Sequence, residues 1–416
     1  MTSSEAAPGR LSRVVVVGAS LAGVRSAEAL RRHGFDGSLV VVGAESHFPP
    51  FDRPPLSKEV LAGHWEPERG RLRVAADLDA ELVLGRRAVG LDLGQRRLAL
   101  DDGEEVGFDG LIVATGCSPR RVGGESAALE GVHVLRTIDE CLALRAELDH
   151  SPRVVVVGAG FIGSEVAATC RRRGLEVTVV EALPLPLVGV LGPQMGEVMA
   201  GLHRDHGTKL RLGVGVVEFA GRERVEEVVL SDGSRLAADV VVIGVGVAPE
   251  TGWLAGSGLS LDNGVVCDEW CAAVGADRVV VAGDVARWPN PLFGRHLRVE
   301  HWTNAVEQAD AAARRLVAGQ DGTPPFAPAP YFWSDQYDAK VQFVGMAGPE
   351  MSVIEGDVEQ RKFVAAFGEG GRTVGALCFS WPARLARYRR LVAAGAPFPP
   401  PVSEAPLAPG GPGGPT

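Results

Sequence analysis

The 416-residue sequence lacks an excess of positive charge, an apolar run long enough to cross a membrane, and a dense cysteine framework. Its formal net charge of −10 argues against general affinity for nucleic acid or for an anionic membrane surface. The N-terminal segment "MTSSEAAPGR" has no apolar core of the kind that a signal peptide needs. We therefore expect a cytoplasmic protein whose partners include neither nucleic acid nor a membrane.

Cysteine is scarce, and its distribution is informative. Because the six cysteines are scattered through a long chain with no secretory signal, we expect reduced, buried thiols rather than disulfides. Cys267 and Cys271 are close in sequence, but nothing around them indicates the reactivity of a redox pair, and we interpret them as structural. No set of residues has the spacing of metal ligands, so no metal site is predicted.

Two segments of the chain follow the same pattern. Residues 14–30, "VVVVGASLAGVRSAEAL", and residues 154–168, "VVVVGAGFIGSEVAA", each combine a β-branched run, a Gly-rich turn and an Ala-rich helical segment. Each is followed by a second strand-like run that ends near an acidic residue, at 38–45 and at 176–182. The pattern predicts two βαβ units.

The turns of both units have the composition of a dinucleotide site. The first Gly permits a tight turn, the small middle residue lets backbone approach a pyrophosphate, and the last Gly lets helix and strand pack closely. The final carboxylate can accept hydrogen bonds from ribose hydroxyls. The residues in these positions are Gly18, Ser20, Gly23 and Glu45 in the first unit, and Gly158, Gly160, Gly163 and Glu181 in the second. One such turn could be a packing solution alone, but two in order indicate two dinucleotides, for which a flavin and a nicotinamide are the natural pair.

Further motifs carry a family resemblance. "LIVATG" at 111–116 and "RVVVAGDVARW" at 278–288 are similar to strand-end signatures of the FAD-dependent pyridine-nucleotide-disulfide oxidoreductase superfamily. Four more motifs, "FDRPPLSK", "LRT", "VEHWTNAVEQADAAARRL" and "PYFWSDQYDAKVQFVG", resemble the ferredoxin reductases of the putidaredoxin reductase type, which supply bacterial monooxygenases and dioxygenases. The resemblance runs from about residue 12 to residue 395.

The resemblance implies an α/β fold with two Rossmann-like three-layer domains, one for FAD and one for NAD, and a C-terminal α+β domain. The FAD domain would be discontinuous, at 12–120 and 243–322, with the NAD domain at 121–242 between its parts. The C-terminal domain would span 326–395 after the Pro-rich linker "QDGTPPFAPAP". We expect disordered tails at 1–11 and 399–416, since the C-terminal tail is rich in Pro and Gly.

The resemblance also implies individual cofactor contacts. The expected FAD contacts are Gly18, Ser20, Ala22, Gly23, Glu45, Arg53, Lys58, Val89, Thr115, Gly116, Arg136, Asp284 and Trp302. The expected NAD contacts are Gly158, Gly160, Ile162, Gly163, Glu165 and Glu181. Asp284 matches the residue that binds the ribityl chain of FAD.

Four of these positions have simpler alternatives. Val89 could be a core residue of a strand, and Arg136 could form a surface ion pair of little energetic weight. Asp284 could be the N-cap of a helix that begins at "VARW". Trp302, like Trp333, could be an ordinary core aromatic.

The stretch "FDRPPLSKEVL" at 51–61 contains no cysteine. Disulfide reductases of the superfamily carry their redox-active cysteine pair at this place, so electrons cannot leave this chain as a dithiol product. The resemblance implies instead that Lys58 lies against the flavin and that Glu165 reaches it from the helix of the NAD unit. We predict that these two residues form a catalytic pair, with a surface turn as the alternative for Lys58.

The predicted function is an NADH-dependent ferredoxin reductase that passes single electrons to a two-iron two-sulfur ferredoxin and acts as a monomer or a homodimer. The alternatives are an NADH oxidase or rubredoxin reductase, and a flavin-binding regulatory protein. Glu181 predicts a preference for NADH, because its carboxylate would repel the 2′-phosphate of NADPH. The basic segment "ARLARYRR", with Arg384, Arg387, Arg389 and Arg390, is the candidate dock for an acidic ferredoxin, or else a solvated helix face.

Overall fold

Residues 11–401 are described in the computed structural model. The α-helices among them are α1 (Leu21–Arg32), α2 (Glu59–Ala62), α3 (Ile138–Leu148), α4 (Phe161–Arg172), α5 (Val188–Asp205), α6 (Trp302–Ala318) and α7 (Leu385–Ala393). The strands are β1 (Arg13–Val17), β2 (Ser38–Gly43), β3 (Glu81–Leu84), β4 (Ala88–Asp92), β5 (Arg97–Leu100), β6 (Glu105–Gly107), β7 (Gly110–Val113), β8 (Cys117–Pro119), β9 (Val132–Val134), β10 (Val154–Val157), β11 (Val177–Glu181), β12 (Lys209–Leu212), β13 (Val216–Gly221), β14 (Val225–Leu230), β15 (Arg235–Ala237), β16 (Val240–Ile243), β17 (Val247–Pro249), β18 (Val265–Val266), β19 (Val279–Val281), β20 (Ala286–Asn290), β21 (Arg295–Arg298), β22 (Tyr331–Gln336), β23 (Ala339–Gly345), β24 (Glu350–Asp357), β25 (Lys362–Glu369) and β26 (Arg372–Phe379).

The first βαβ unit forms the centre of a five-stranded parallel sheet in the order β19-β7-β1-β2-β3. Strand β1 lies between β2 and β7, and its residues Val14 to Val17, whose side chains alternate between the two faces of the sheet, are all buried. A strand covered on both faces needs apolar residues at successive positions, which explains the continuous valine run. Helices α1 and α6 pack against each other beside this sheet, although they are far apart in sequence.

The second βαβ unit forms a matching parallel sheet in the order β12-β11-β10-β16-β9. Both sheets therefore place the strand that precedes the Gly-rich turn at their centre, as the pattern predicts. The edge strand β19 of the first sheet follows the second sheet in the chain, so the chain returns to the first sheet after completing the second. The predicted α/β fold with two Rossmann-like units is confirmed.

The chain divides into two compact units, one ending at Ala339 and the other beginning at Lys340. In the second unit, β23, β26, β25 and β24 are neighbours in that order in an antiparallel sheet. Helix α7 packs on β26 and buries Tyr388 and Val392, which gives the predicted α+β character. The domain limits inferred from the resemblance stay predictions.

The other expectations for the chain as a whole have mixed outcomes. All six cysteines are buried, as predicted, and none is joined in a disulfide in the structure. Burial raises the pKa of Cys271 to about 12 and that of Cys267 well above its ordinary value. Between residues 11 and 401, no helix is both long and apolar enough for a membrane span. The predicted tails at 1–11 and 399–416 lie largely outside the described residues, although Pro400 is described and buried.

Candidate functional site

The N-termini of α1 and α4 lie at the Gly-rich turns and receive no side-chain cap from the described residues. Helix α3 is a contrast within the same chain, because Thr137 and Glu140 form a complete capping box at its N-terminus. The first N–H groups of an uncapped helix are left for a ligand, and the helix dipole favours an anion there. The two turns therefore have the backbone groups that a pyrophosphate requires.

The outer glycines of both turns are fixed by close backbone approach. Gly18 and Gly158 have φ angles of 114° and 100°, where L-residues with a side chain are strained. A Cβ atom on Gly158 would lie 2.4 Å from the carbonyl oxygen of Gly244. A Cβ atom on Gly163 would lie 2.1 Å from the carbonyl oxygen of Gly158. These glycines are needed for the fold of the turn itself.

The middle residue of each turn is different, because it faces open space. A Cβ atom on Gly160 would meet nothing closer than the carbonyl oxygen of Gly244 at 3.9 Å, and the φ angle of Gly160 is an ordinary −73°. Ser20, which holds the same position in the first unit, carries a side chain there without strain, at φ −92°. The space above Gly160 fits the pyrophosphate of a dinucleotide and has no packing role in the fold.

Around the first turn, Glu45 and Arg53 form an ion pair. Arg53 also donates to the hydroxyl of Ser20 at 3.4 Å and to the carbonyl oxygen of Arg136 at 2.8 Å. These bonds bring four of the predicted FAD contacts together at the carboxyl end of the first sheet. Ala22 lies against Gly283, the residue before Asp284, since a Cβ atom on Gly283 would lie only 2.8 Å from the Cβ of Ala22.

Asp284 lies in the turn between β19 and β20 and binds Arg136 in an ion pair, with 3.0 Å between Oδ2 and Nη2. Because β20 is a strand, no helix begins here, and the alternative of Asp284 as a helix N-cap is wrong. Thr115 lies at the end of β7 and donates to the carbonyl oxygen of Glu250 at 2.9 Å. Gly116 has a φ of 68°, and a Cβ there would lie 3.4 Å from Arg136 Nη2.

Trp302 begins α6, and its indole N–H donates to Asp52 Oδ1 at 2.8 Å. Burial raises the pKa of Asp52. Trp302 and Trp333 lie edge to face, with ring centroids 6.4 Å apart, and both are half-buried rather than core residues. The core alternative is therefore wrong for both tryptophans.

Two predicted contacts are surface residues in this structure. Val89 lies in β4 and is 53% exposed, so the alternative of a strand core residue is wrong. Ile162, in the first turn of α4, is 46% exposed beside the space above Gly160. Neither side chain is bonded into the clusters described above, and their roles as FAD and NAD contacts stay predictions.

Glu181 ends β11 next to the second turn. Its Oε2 accepts from the N–H of Ala159 at 2.7 Å, and its Oε1 accepts from the N–H of Leu183 at 2.9 Å. Two backbone donors therefore fix a negative charge at the strand end, where an adenosine ribose would lie in a dinucleotide site of this kind.

Lys58 and Glu165 form the buried ion pair that the resemblance implies. Lys58 Nζ lies 2.6 Å from Glu165 Oε2, and the two side chains are 7% and 3% exposed. Pro54 and Pro55 open a short 3₁₀ helix, Pro54–Ser57, that delivers Lys58. The ammonium also donates to the carbonyl oxygen of Pro54 at 3.1 Å. The surface-turn alternative for Lys58 is wrong, because a surface turn would leave the side chain exposed.

Sequence reasoning missed two serines in this cluster. Ser57 donates to Glu165 Oε2 at 2.5 Å, and Ser334 donates to Glu165 Oε1 at 2.7 Å. A serine in a sequence does not by itself indicate that its hydroxyl donates to a functional carboxylate. The only indication for Ser334 was its place in the alternating pattern of "YFWSDQ", which puts it on the buried face of β22.

One thiol lies near the Lys58 stretch but does not form a redox pair. Cys141 Sγ donates to the carbonyl oxygen of Leu56 at 3.2 Å and is fully buried. Burial raises its pKa to about 12, which disfavours the reactive thiolate. In the part of the chain that the structure describes, no three His, Cys, Asp or Glu side chains form a group that could hold a metal ion.

Comparison with known proteins identifies two families along the chain. Residues 12–309 match the family described as pyridine nucleotide-disulphide oxidoreductase. Residues 331–406 match the family described as reductase C-terminal.

Several characterised proteins are similar over nearly the full length. The ferredoxin–NAD(+) reductase component of the anthranilate 1,2-dioxygenase system of Burkholderia cepacia is 37% identical over 388 residues, covering 92% of this chain and 94% of that protein. Rhodocoxin reductase of Rhodococcus erythropolis is 36% identical over 394 residues, covering 93% and 91%. The crystal structure of the covalent putidaredoxin reductase–putidaredoxin complex matches with a TM-score of 0.88 at 31% identity, covering 94% of each chain.

Proposed function

The chain belongs to the pyridine nucleotide-disulphide oxidoreductase family, and from that premise we propose that it is an NADH-dependent reductase of a two-iron two-sulfur ferredoxin in an oxygenase system. Its cofactors are FAD and NAD(P)H. When bound, FAD accepts a hydride from the nicotinamide and releases the two electrons singly, as an iron–sulfur acceptor requires.

The observation that carries this proposal is the Lys58–Glu165 pair in the place where disulfide reductases of the superfamily hold their thiols. A buried ammonium needs a partner, and Glu165 supplies it from the first turns of α4. The pair keeps a fixed positive charge on one side of the site, where it favours negative charge that develops during hydride transfer. No dithiol product can form here, so the electrons leave to a separate acceptor.

The Gly-rich turns and the side chains around them bind and orient the two dinucleotides. The turns at Gly18 and Gly158 offer backbone N–H groups to the two pyrophosphates, and the Arg136–Asp284 pair lies where the first dinucleotide would extend from its turn. Glu45 and Glu181 each place a carboxylate near the end of a second strand, where ribose hydroxyls can donate to it.

A steady-state assay separates this function from its alternatives. NADH should reduce cytochrome c slowly with the enzyme alone and much faster once a two-iron two-sulfur ferredoxin is added. Rapid oxygen consumption by the enzyme and NADH alone would favour the NADH oxidase alternative. Failure of NADH to bleach the flavin would favour a flavin-binding regulatory protein.

The position of Glu181 predicts the choice of nicotinamide. We expect kcat/KM to be at least about tenfold higher for NADH than for NADPH, because a fixed carboxylate repels the 2′-phosphate. Glu181→Gln should lower the ratio of kcat/KM for NADH to kcat/KM for NADPH. Glu176→Gln is the matched control, since Glu176 precedes the same strand at its other end and pairs with Lys209 on the surface. Equal efficiency with both nucleotides in the unaltered enzyme would contradict the assignment of Glu181.

The structure revises the predicted ferredoxin dock on α7. Glu355 of β24 is only 7% exposed, and it binds Arg384 at 2.9 Å and Arg387 at 3.2 Å. Tyr388 also donates its hydroxyl to Glu355, and Arg387 donates to the carbonyl oxygen of Pro401 at 2.6 Å. These two arginines hold the second unit together, and Glu355 offsets part of their charge. Arg389 and Arg390 are the exposed members of the segment.

Charge reversal at α7 should therefore be made at Arg390. Arg390→Glu is expected to raise the KM for ferredoxin about threefold or more at low salt and to weaken its salt dependence, because surface charges act mainly on encounter. NADH-to-ferricyanide activity should not change. Arg222→Glu makes the same change in net charge at an exposed residue between β13 and β14. Equal effects of the two variants, or none at Arg390, would place the dock elsewhere.

A further inference from the structure

The carboxylate of Glu165 is held by three side-chain donors, two from neighbouring residues and one from a distant strand. Lys58 Nζ and Ser57 Oγ reach Oε2 at 2.6 and 2.5 Å, and Ser334 Oγ reaches Oε1 at 2.7 Å. Ser57, Glu165 and Ser334 are all buried, so none of these bonds competes with bulk water. Ser334 is therefore the donor to Oε1, whereas Ser57 and Lys58 share Oε2.

The neighbours of Ser334 fix the direction of its hydrogen bond. Gln336 Nε2 lies 3.1 Å from Ser334 Oγ, and an amide nitrogen can only donate. Ser334 therefore accepts from Gln336 and keeps its single proton for Glu165, which as a carboxylate can only accept. Both β22 residues are fully buried and face the same side of the strand. The chain of donors runs from Gln336 through Ser334 to Glu165.

We propose that Ser334 is a positioning residue for hydride transfer, acting through Glu165 on the placement of Lys58. The proposal rests on the proposed function of the ion pair. Ser334 lies beyond the residues that match the nucleotide-disulphide family and within the match to the reductase C-terminal family. The C-terminal region thus supplies part of the machinery for the NADH half-reaction, in addition to any part it has in partner binding.

The physical reason lies in what Glu165 would do without this donor. A buried carboxylate oxygen without a hydrogen bond is costly, and the group would turn to share its remaining donors. Lys58 is the donor best able to follow, since its other acceptors, the Pro54 carbonyl oxygen at 3.1 Å and Ser57 Oγ at 3.5 Å, are neutral and hold an ammonium less strongly than a carboxylate does. A displaced ammonium would no longer hold its charge where the proposed reaction needs it.

The first test is stopped-flow reduction of the FAD-loaded Ser334→Ala enzyme by NADH. The limiting rate constant for flavin reduction should fall about tenfold, the rate equivalent of the lower end of what a hydrogen bond to a charged group contributes. The Kd for NADH should stay within about twofold of the unaltered value, because the proposal has Ser334 act on Glu165 and gives it no contact with the nucleotide. Ser334→Cys keeps a weak donor at nearly the same volume and should give an intermediate rate, which also covers the case in which the alanine variant does not fold.

Thr303→Val is the matched control for a purely structural effect. Thr303 anchors the beginning of β22 by donating to the carbonyl oxygen of Tyr331 at 2.9 Å, without reaching Glu165. The Thr303→Val substitution therefore removes one hydroxyl hydrogen bond to β22, the strand that carries Ser334. If Thr303→Val slowed flavin reduction as much as Ser334→Ala, the role assigned to Ser334 would be overturned.

A double-mutant cycle with Glu165→Gln decides whether Ser334 acts through Glu165. In the Glu165→Gln background, adding Ser334→Ala should change the reduction rate by less than about twofold. If Ser334→Ala slowed flavin reduction in the Glu165→Gln background as much as it does in the unaltered enzyme, this inference alone would be overturned, and the proposed function of the ion pair would stand. Flavin reduction at the unaltered rate in Glu165→Gln by itself would overturn both the proposed function of the pair and the inference built on it.

Discussion

Replacing Lys58 with methionine is expected to slow flavin reduction by NADH about a hundredfold while FAD stays bound. The expected size follows from the cost of removing one group that stabilises developing charge in a water-excluded site. Methionine fills a similar volume but carries no charge, and Glu165 would be left as an unpaired carboxylate. Both changes disfavour negative charge next to them. The flavin midpoint potential should become more negative for the same reason.

The loss of the positive charge must be distinguished from the orphaned carboxylate. The double variant Lys58→Met/Glu165→Gln removes both charges, so a slow rate that persists in it belongs to the missing ammonium. Lys209→Met is a control for a lysine in an ion pair, because Lys209 pairs with Glu176 at 2.5 Å with both side chains exposed. Its effect on reduction should be negligible. Reduction of Lys58→Met at the unaltered rate would mean that the lysine is structural.

Replacing Gly160 with valine is expected to abolish tight NADH binding without destabilising the protein. The space above Gly160 is open, and its φ of −73° suits any L-residue, so the fold should accept the side chain. The branched side chain would then occupy the room in which a pyrophosphate approaches the backbone of the turn. We expect the KM for NADH to rise about a hundredfold or more, with an unchanged melting temperature and full FAD content.

Gly158→Ala is the informative comparison for that variant. Its added Cβ would lie 2.4 Å from the carbonyl oxygen of Gly244 at a φ of 100°, so it should lower the melting temperature as well as nucleotide binding. Gly189→Ala, with open space around its Cβ position, controls for an added side chain near the start of α5. Normal NADH binding by Gly160→Val would show that the second turn does not hold the nucleotide.

Local requirements made much of this fold predictable from the sequence. The outer glycines of each turn are dictated by φ angles and backbone contacts within a few residues and one neighbouring strand. The valine runs likewise follow from burial on both faces of a central strand. The Lys58–Glu165 pair could be predicted only because the resemblance implied it, since 107 positions separate the two residues.

What the sequence could not provide depends on contacts between distant segments. Ser334 reaches Glu165 across 169 positions, and nothing in its neighbourhood distinguishes it from other strand serines. The four arginines of "ARLARYRR" look equivalent in sequence, but β24 brings Glu355 to two of them. Asp284 resembles a helix N-cap until the segment after it pairs as β20 with β21.

An anaerobic single-turnover experiment tests the central claim most directly. The FAD-loaded enzyme is first reduced with one equivalent of NADH and then mixed with an oxidised two-iron two-sulfur ferredoxin, while flavin and ferredoxin absorbance are followed together. The account predicts that NADH bleaches the flavin, and that the flavin absorbance then returns as two ferredoxins are reduced for each NADH, since each ferredoxin takes one electron. A flavin that NADH does not bleach, or one that stays bleached in the presence of ferredoxin, would contradict it.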